Sequence, residues 1–348
     1  MVKEAVIAVP GDLATPTGGF VYDRRIIGEL AALGWKIEVL DLGTGFPRPA
    51  ADTRAAAAAR LAALPRRFPI VVDGLAFGVL PEIARSLSES HCLVALVHHP
   101  LALETGLSAD EAAHLHASEE AALACARHVI TTSAATMRVL ASDFQVARER
   151  LTVVEPGTDK AAIPRQTRDG SVALLAVGSV VPRKGYDVLV AALEKIRDLP
   201  WRLVIAGDCS RSPETVLRLR SQITLHGLDG RIHLRGAATT DELASLYISS
   251  DLFVLPSRLE GYGMAFTEAL AHGLPVVGTS TGVLGETVPL KGSVLVPVDD
   301  ADGLAQALRR LIEAPQERER LAARARAATF PSWREQGARF ARILESLA

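Results

Sequence analysis

"SVALLAVGSVVPRKGYDVLVAAL", residues 171–193, runs from a strand through a loop into a helix. Its opening residues are apolar almost without a break, as in a strand covered on both faces. Gly178 punctuates that run, and apolar residues resume at helical spacing after Gly185. Strand, loop and helix in that order form the unit from which a parallel sheet is built.

The unit recurs in both directions. Downstream come "WRLVIAGD", "RIHLRG", "DLFVLPS", "LPVVGTS" and "SVLVPV"; upstream lie "EAVIAVP", "WKIEVL", "PIVVDG", "CLVALV" and "HVITTS". Amphipathic or Ala-rich stretches separate them. The two series meet at "TDKAAIPRQTRDG", residues 158–170, which is polar, proline-bearing and non-periodic. The expected fold class is therefore α/β, with two Rossmann-like doubly wound parallel-sheet domains. Ligands collect at the carboxyl ends of such strands, and two sheets facing each other would leave a cleft. The expected division is a first domain over 1–162, a linker over 163–170, a second domain over 171–328 and a terminal helix over 329–348. In that helix Trp333, Phe340, Ile343 and Leu347 share an apolar face that must pack on something, and a helix bridging the domains is one option.

At 348 residues the chain suits two domains of about 150 to 180 residues each. A net charge of −2 and an aromatic content of 5% argue against nucleic acid as a partner. Cys92, Cys125 and Cys209 form no CxxC pair, so they read as inert buried thiols. The start "MVKEAVIAVPGD" reads as neither signal peptide nor membrane span, and the expected location is cytoplasmic. Arg54, Arg60, Arg66 and Arg67 flank an Ala-rich helix; a solvated face is the first reading and weak peripheral contact with an anionic membrane the second.

Several loops carry candidate chemistry. "PGDLATPTGGFVYDRRI" follows the first strand, with Gly18 and Gly19 at a helix mouth where free N–H groups favour an anion. "VHHPLALETG" places His98 and His99 at the end of the fourth strand. Glu111, His114 and His116 share helical spacing but lack a fourth ligand, so they read as a solvated face and no metal is expected. In the second half, Arg183 and Lys184 stand at a helix mouth, forming a cradle for a diphosphate. Neither GxxxxGK[ST] nor GxGxxG occurs, which excludes a P-loop kinase site and the dinucleotide pattern of a dehydrogenase.

"RLEGYGMAFTEALAHG", residues 258–273, then places Glu260 in a loop and Glu268 inside a mostly apolar helix, closed by Gly273 as C-cap. Burying an unpaired carboxylate costs several kcal/mol, about ten times what the helix dipole returns. Glu268 therefore needs a partner, and adjacent sugar hydroxyls would supply two donors. One acid for a ribose, one for the reacting sugar and amides between them for phosphates is the economical arrangement.

"EGYGMAFTE" resembles the paired-glutamate signature of the retaining glycosyltransferases of family 4, the glycosyltransferase group 1 class. The likeness extends to "TPTGGF", His98, "GSVVPRKGYDVLVAAL", "TDELASLYISSDLFVLPS" and "SWREQGARFARIL". It implies the GT-B fold, a nucleotide diphosphate sugar donor bound mostly by the second domain, transfer with retention, and no bound metal or other cofactor. It implies that Glu268 grips the ribose and that Glu260 lies by the hexose. Gly261, Tyr262, Gly263 and Met264 would offer amides, Lys184 would neutralise the diphosphate, and Arg235 and Gly236 would border the nucleobase. His98 would approach the donor sugar, making Glu260, His98 and Lys184 the catalytic candidates, with Gly18 and Gly19 lining the cleft. The family's arginine after the first glycine of the second domain is here Ser179, and Arg183 is expected to compensate. Family frequency favours UDP over GDP as the nucleotide; the acceptor and the oligomeric state are not legible. The competing readings are a nucleotide-sugar epimerase of the same fold and a non-catalytic nucleotide-sugar-binding protein.

Overall fold

The computed structural model describes residues 3–159, 161, 170–288 and 292–347. Among these residues twelve strands form two sheets of six, every pairing parallel. The first sheet comprises β1 (Glu4–Val9), β2 (Lys36–Asp41), β3 (Pro69–Asp73), β4 (Cys92–Val97), β5 (His128–Thr131) and β6 (Leu151–Val153). Its order is β2-β1-β3-β4-β5-β6, so the chain reverses direction across the sheet between β1 and β3. The second comprises β7 (Val172–Val177), β8 (Trp201–Ala206), β9 (Ile232–Gly236), β10 (Leu252–Leu255), β11 (Val276–Thr279) and β12 (Ser293–Val296). Its order is β12-β11-β10-β7-β8-β9, with the reversal between β7 and β10.

The apolar runs explain these pairings. All five residues of β3 and all four of β10 are buried, because helices cover both faces. β2 is an edge strand, and its alternation of charged and apolar residues leaves most of it exposed. The chain divides into one compact unit of residues 1–157 with 331–348 and another of residues 158–330. The linker expected at 163–170 lies outside the described residues except for Gly170.

The terminal helix Trp333–Leu347 belongs to the first unit and packs on the helix Gly18–Ala32. Trp333, Phe340, Ile343 and Leu344 are its buried face; Leu344 takes the place expected for Leu347. Gly337 permits the contact, since a Cβ there would meet the Cβ of Glu29 at 2.3 Å. Among the described residues no helix is long and apolar enough to cross a membrane. The three cysteines are half-buried rather than buried. Glu111 closes a capping box with Ser108 and His116 stacks on Phe144, so these residues do not converge with His114 on one point. Arg54 and Arg60 are tied to the carbonyls of Val79 and Asp41, which accounts for half of the arginine group without a membrane.

Candidate active site

Each unit gathers charge where its sheet reverses, the position at which open α/β sheets receive ligands. In the second unit the loops after β7 and β10 supply it. The β7 loop makes a tight turn over Pro182–Lys184 and then bends at Gly185, φ +67°. A Cβ at Gly185 would stand 2.1 Å from the carbonyl oxygen of Pro256, so only glycine lets the two loops approach. Lys184 lies with its stem against Gly178 and its Nζ donates to Glu260 Oε1 at 2.6 Å. Ser257 Oγ donates to the same oxygen at 2.6 Å, and Arg183 Nη1 stands 3.9 Å from Oε2.

Glu260 is only 6% exposed. Burial pushes its carboxyl upward, but Lys184 and then Arg183 outweigh this and hold it below its usual value. The sequence placed these three residues in one region without revealing the ion pair. Its physical cause is simple: a carboxylate this deep requires a countercharge.

Arg258 fixes the two loops together. Its guanidinium donates to both oxygens of Asp187 at 2.9 and 2.6 Å, to Asp299 at 2.6 Å and to the Pro182 carbonyl at 2.8 Å. Its backbone N–H donates to the Arg183 carbonyl at 2.7 Å. Sequence reasoning missed this clamp, because nothing in "SRLE" distinguishes Arg258 from a surface arginine.

Gly263, φ +94°, opens the helix Met264–Ala271, with Gly261 and Tyr262 in the loop before it. His272 is the C-cap and Gly273, φ +69°, follows it in the left-handed position. Glu268 is half-buried and has the partner that its place requires, Tyr247, whose hydroxyl donates to Oε2 at 3.0 Å. Tyr247 in turn stacks on His272 at 4.7 Å. Ser179 follows Gly178 directly beyond β7. Arg235 and Gly236 end β9, two strands away, where Arg235 pairs with Glu242 at 2.5 Å.

In the first unit Thr17 caps the helix Gly18–Ala32, accepting from the Phe20 N–H. Gly19 faces His98: a Cβ there would stand 3.2 Å from its Cδ2 and 3.3 Å from its Nε2. His98 directly follows β4, and Tyr22 meets its ring edge-on at 5.3 Å. Its Nε2 lies 3.5 Å from Asp23 Oδ1 and 3.6 Å from Asp73 Oδ2. Burial alone would lower the imidazole pKa, but the pull of Asp23 and Asp73 reverses this and raises it to about 10. Asp23 is raised to about 6, by burial first and by Asp73 against it, with His98 and Arg24 opposing. His99 has a separate partner, Glu104, at 3.5 Å.

Neither Asp23 nor Asp73 was singled out from the sequence. Asp23 left one signal: it stands three residues after Phe20 and three before Ile26, on the buried stripe of its helix. Among the described residues, Asp23, Asp73 and His98 are also the one group of three such side chains with donor atoms within 4.8 Å of one another. Nε2 stands at ion-pair distance from both carboxylates and beyond hydrogen-bond distance, and the group reads as an ion triad. A cavity of about 700 Å³ lined by His91, Cys92, Cys125, Arg127 and Arg150 lies at the opposite, amino ends of β4 and β5.

Two Rossmann-like units, each a six-stranded parallel sheet, give the two-domain α/β fold of the GT-B class. Sucrose-phosphate synthase from Thermosynechococcus elongatus has the same fold, with a TM-score of 0.82 at 20% identity over 99% of both chains. The Anabaena protein HepE, solved with UDP-glucose, gives 0.79 at 17% identity over 98% of this chain and 99% of its own. Residues 157–328 match the family described as glycosyl transferases group 1. The MMP alpha-(1->4)-mannosyltransferase of Mycolicibacterium hassiacum is 30% identical over 322 residues, 86% of this chain and 76% of the relative. The chain belongs to the group 1 glycosyltransferases and is a sugar-transferring enzyme.

Proposed function

We propose that the chain is a retaining hexosyltransferase that moves a sugar from a nucleotide diphosphate, UDP first and GDP second, to a hydroxyl acceptor. The observation that carries the reading is the buried Lys184–Glu260 pair at the β7–β10 reversal, with Glu268 on the next helix. In this reading Glu268 binds the ribose and the loop Gly261–Met264 offers amides to the hexose and the diphosphate. Ser179 lines the same loop region, and Arg235 and Gly236 border the nucleobase. Lys184 and Arg183 oppose the charge that develops on the leaving diphosphate, so no divalent metal is needed. The geometry within the second unit supports Arg183 as the substitute for the arginine replaced by Ser179, since it stands within 3.9 Å of Glu260.

A front-face route fits this charge distribution. The bond from anomeric carbon to phosphate oxygen breaks first, giving an oxocarbenium-like sugar. The departing phosphate oxygen takes the acceptor's proton as the new glycosidic bond forms on the same face. Glu260, tied to Lys184 and Ser257, stabilises positive charge on the sugar rather than attacking it. The reading takes support from the relatives, one named a mannosyltransferase and one solved with UDP-glucose.

The test is a thermal-shift screen of nucleotide sugars, followed by incubation of the best donor, ¹³C-labelled in its sugar, with and without a chelator. The expected result is labelled sugar transferred to an acceptor or water with its anomeric configuration kept, unaffected by the chelator. Isomerised donor would identify an epimerase, and tight binding without any turnover would identify a binding protein.

A further inference from the structure

The first unit contains an arrangement that the reading above leaves unexplained: two carboxylates converge on one ring nitrogen. Asp23, from the helix Gly18–Ala32, and Asp73, from the end of β3, are 1% and 3% exposed. Both face Nε2 of His98, and that atom is itself buried. Asp73 is oriented by its other oxygen, which accepts from the Leu75 N–H at 2.7 Å. Asp23 has no such anchor, and neither of its oxygens has a hydrogen-bond partner. The remaining groups against the ring are Tyr22, an uncharged edge whose own proton burial retains, and Gly19, which contributes no side chain. Arg24 acts on Asp23 from the same helix, and Thr132 donates to the His98 carbonyl at 3.2 Å. Among the described residues, the charged groups acting on His98 are Asp23 and Asp73, both anionic.

We propose that Asp23 and Asp73 are positioning residues that hold Nε2–H of His98 inward, so that His98 meets substrate as a fixed cation and not as a general base. The His98 side chain is 19% exposed while Nε2 is buried, so the accessible edge is the remainder of the ring, which carries Nδ1. Nδ1–H then donates to an oxygen of the substrate, either a phosphate oxygen or a sugar hydroxyl. The inference rests on the transferase reading and deepens it: a front-face reaction takes the acceptor's proton onto the leaving phosphate and needs no basic histidine. It also accounts for Gly19, because any side chain there would press on the Nε2 edge and disturb its two contacts.

Imidazole ¹⁵N spectra of the full chain, with His98 identified by its loss in His98→Gln, test this without substrate. The ring is expected to carry both protons from pH 6 to 9. In Asp23→Asn and Asp73→Asn it is expected to titrate near or below the ordinary value of about 6.5. Donor turnover of these variants should then fall about ten-fold or more between pH 6.5 and 8.5, a loss that wild type does not show over that range. A purely structural role would give losses independent of pH. A neutral ring in wild type at pH 8, or a shift of the Nε2 signal on adding zinc alone, would overturn the proposal, and the wild-type spectrum decides even if a variant does not fold. The donor found by the thermal-shift screen and its bare nucleotide then separate the two oxygens: a shift of Nδ1 with both points to phosphate, and a shift with the full donor alone points to the sugar. Because the protonation is read in the free enzyme, its failure would leave donor binding by the second unit untouched, and the converse also holds.

Discussion

At the β7–β10 reversal one carboxylate meets one ammonium at 2.6 Å, whereas at the β1–β3 reversal two carboxylates share one imidazole at 3.5 and 3.6 Å. The first cluster sets two cations, Lys184 and Arg183, against one carboxylate and is closed by short hydrogen bonds. The second has one negative charge more than its cation and contacts longer than good hydrogen bonds. The difference shows what each cluster is built to hold. Lys184 has three N–H groups, so its bond to Glu260 does not by itself exhaust the ammonium. The imidazole has only two N–H groups and commits one inward, which leaves a single donor of fixed direction.

The comparison can be broken most forcefully at Lys184. Lys184→Met removes the cation of a buried pair and is expected to lower turnover by about 10²- to 10³-fold. It should also destabilise the fold by about 3 kcal/mol, because buried Glu260 loses its closest countercharge and keeps only Arg183 at 3.9 Å and the Ser257 hydroxyl. Adding Glu260→Leu should restore most of the stability and none of the turnover, which denaturant melts and donor hydrolysis measure separately. If stability and turnover returned together, the pair would be structural only.

Arg183→Ala is a milder version of the same experiment. Arg183 lies 3.9 Å from Glu260, and its loss leaves the Lys184 contact in place. The expected effect is a fall of about ten-fold in kcat, with folding little changed, if this cation replaces the one absent at Ser179. Turnover equal to wild type would refute the compensation.

A fourth buried carboxylate sharpens the contrast because, among the described residues, no cation acts on it. Glu119 accepts from the Leu101 N–H at 2.8 Å, its other oxygen has no partner, and burial raises its pKa from 4.5 to about 8. The folded chain thus keeps a proton that the unfolded chain releases above pH 4.5. This group's contribution to stability is full below pH 4.5 and declines as pH rises to about 8. Glu119→Gln should flatten that decline, so that its denaturation midpoint relative to wild type rises between pH 6 and 8.5.

Most strands were legible because a parallel strand covered on both faces reads as an unbroken apolar run; each of the eleven runs quoted overlaps one strand, and the three-residue β6 was too short to stand out. Glu260, Glu268 and Lys184 were legible because their chemistry lies in short local segments next to glycines. Their pairing was not, since Lys184 and Glu260 are 76 residues apart and only the strand order brings their loops together. The Asp23–Asp73–His98 triad draws on a helix and two strand ends, and no short window contains two of its members. Sequence spacing finds chemistry made by one loop; chemistry assembled by topology becomes visible only when the strand order is known.

The most direct test of the whole account is calorimetric titration of the best nucleotide sugar into wild type and Glu268→Ala. The account expects a single site that weakens by ten-fold or more when this carboxylate is removed, since about 1.4 kcal/mol of charged hydrogen bonding to the ribose is lost. Equal affinity in the two proteins would contradict it and move the nucleotide away from the second unit's helix Met264–Ala271.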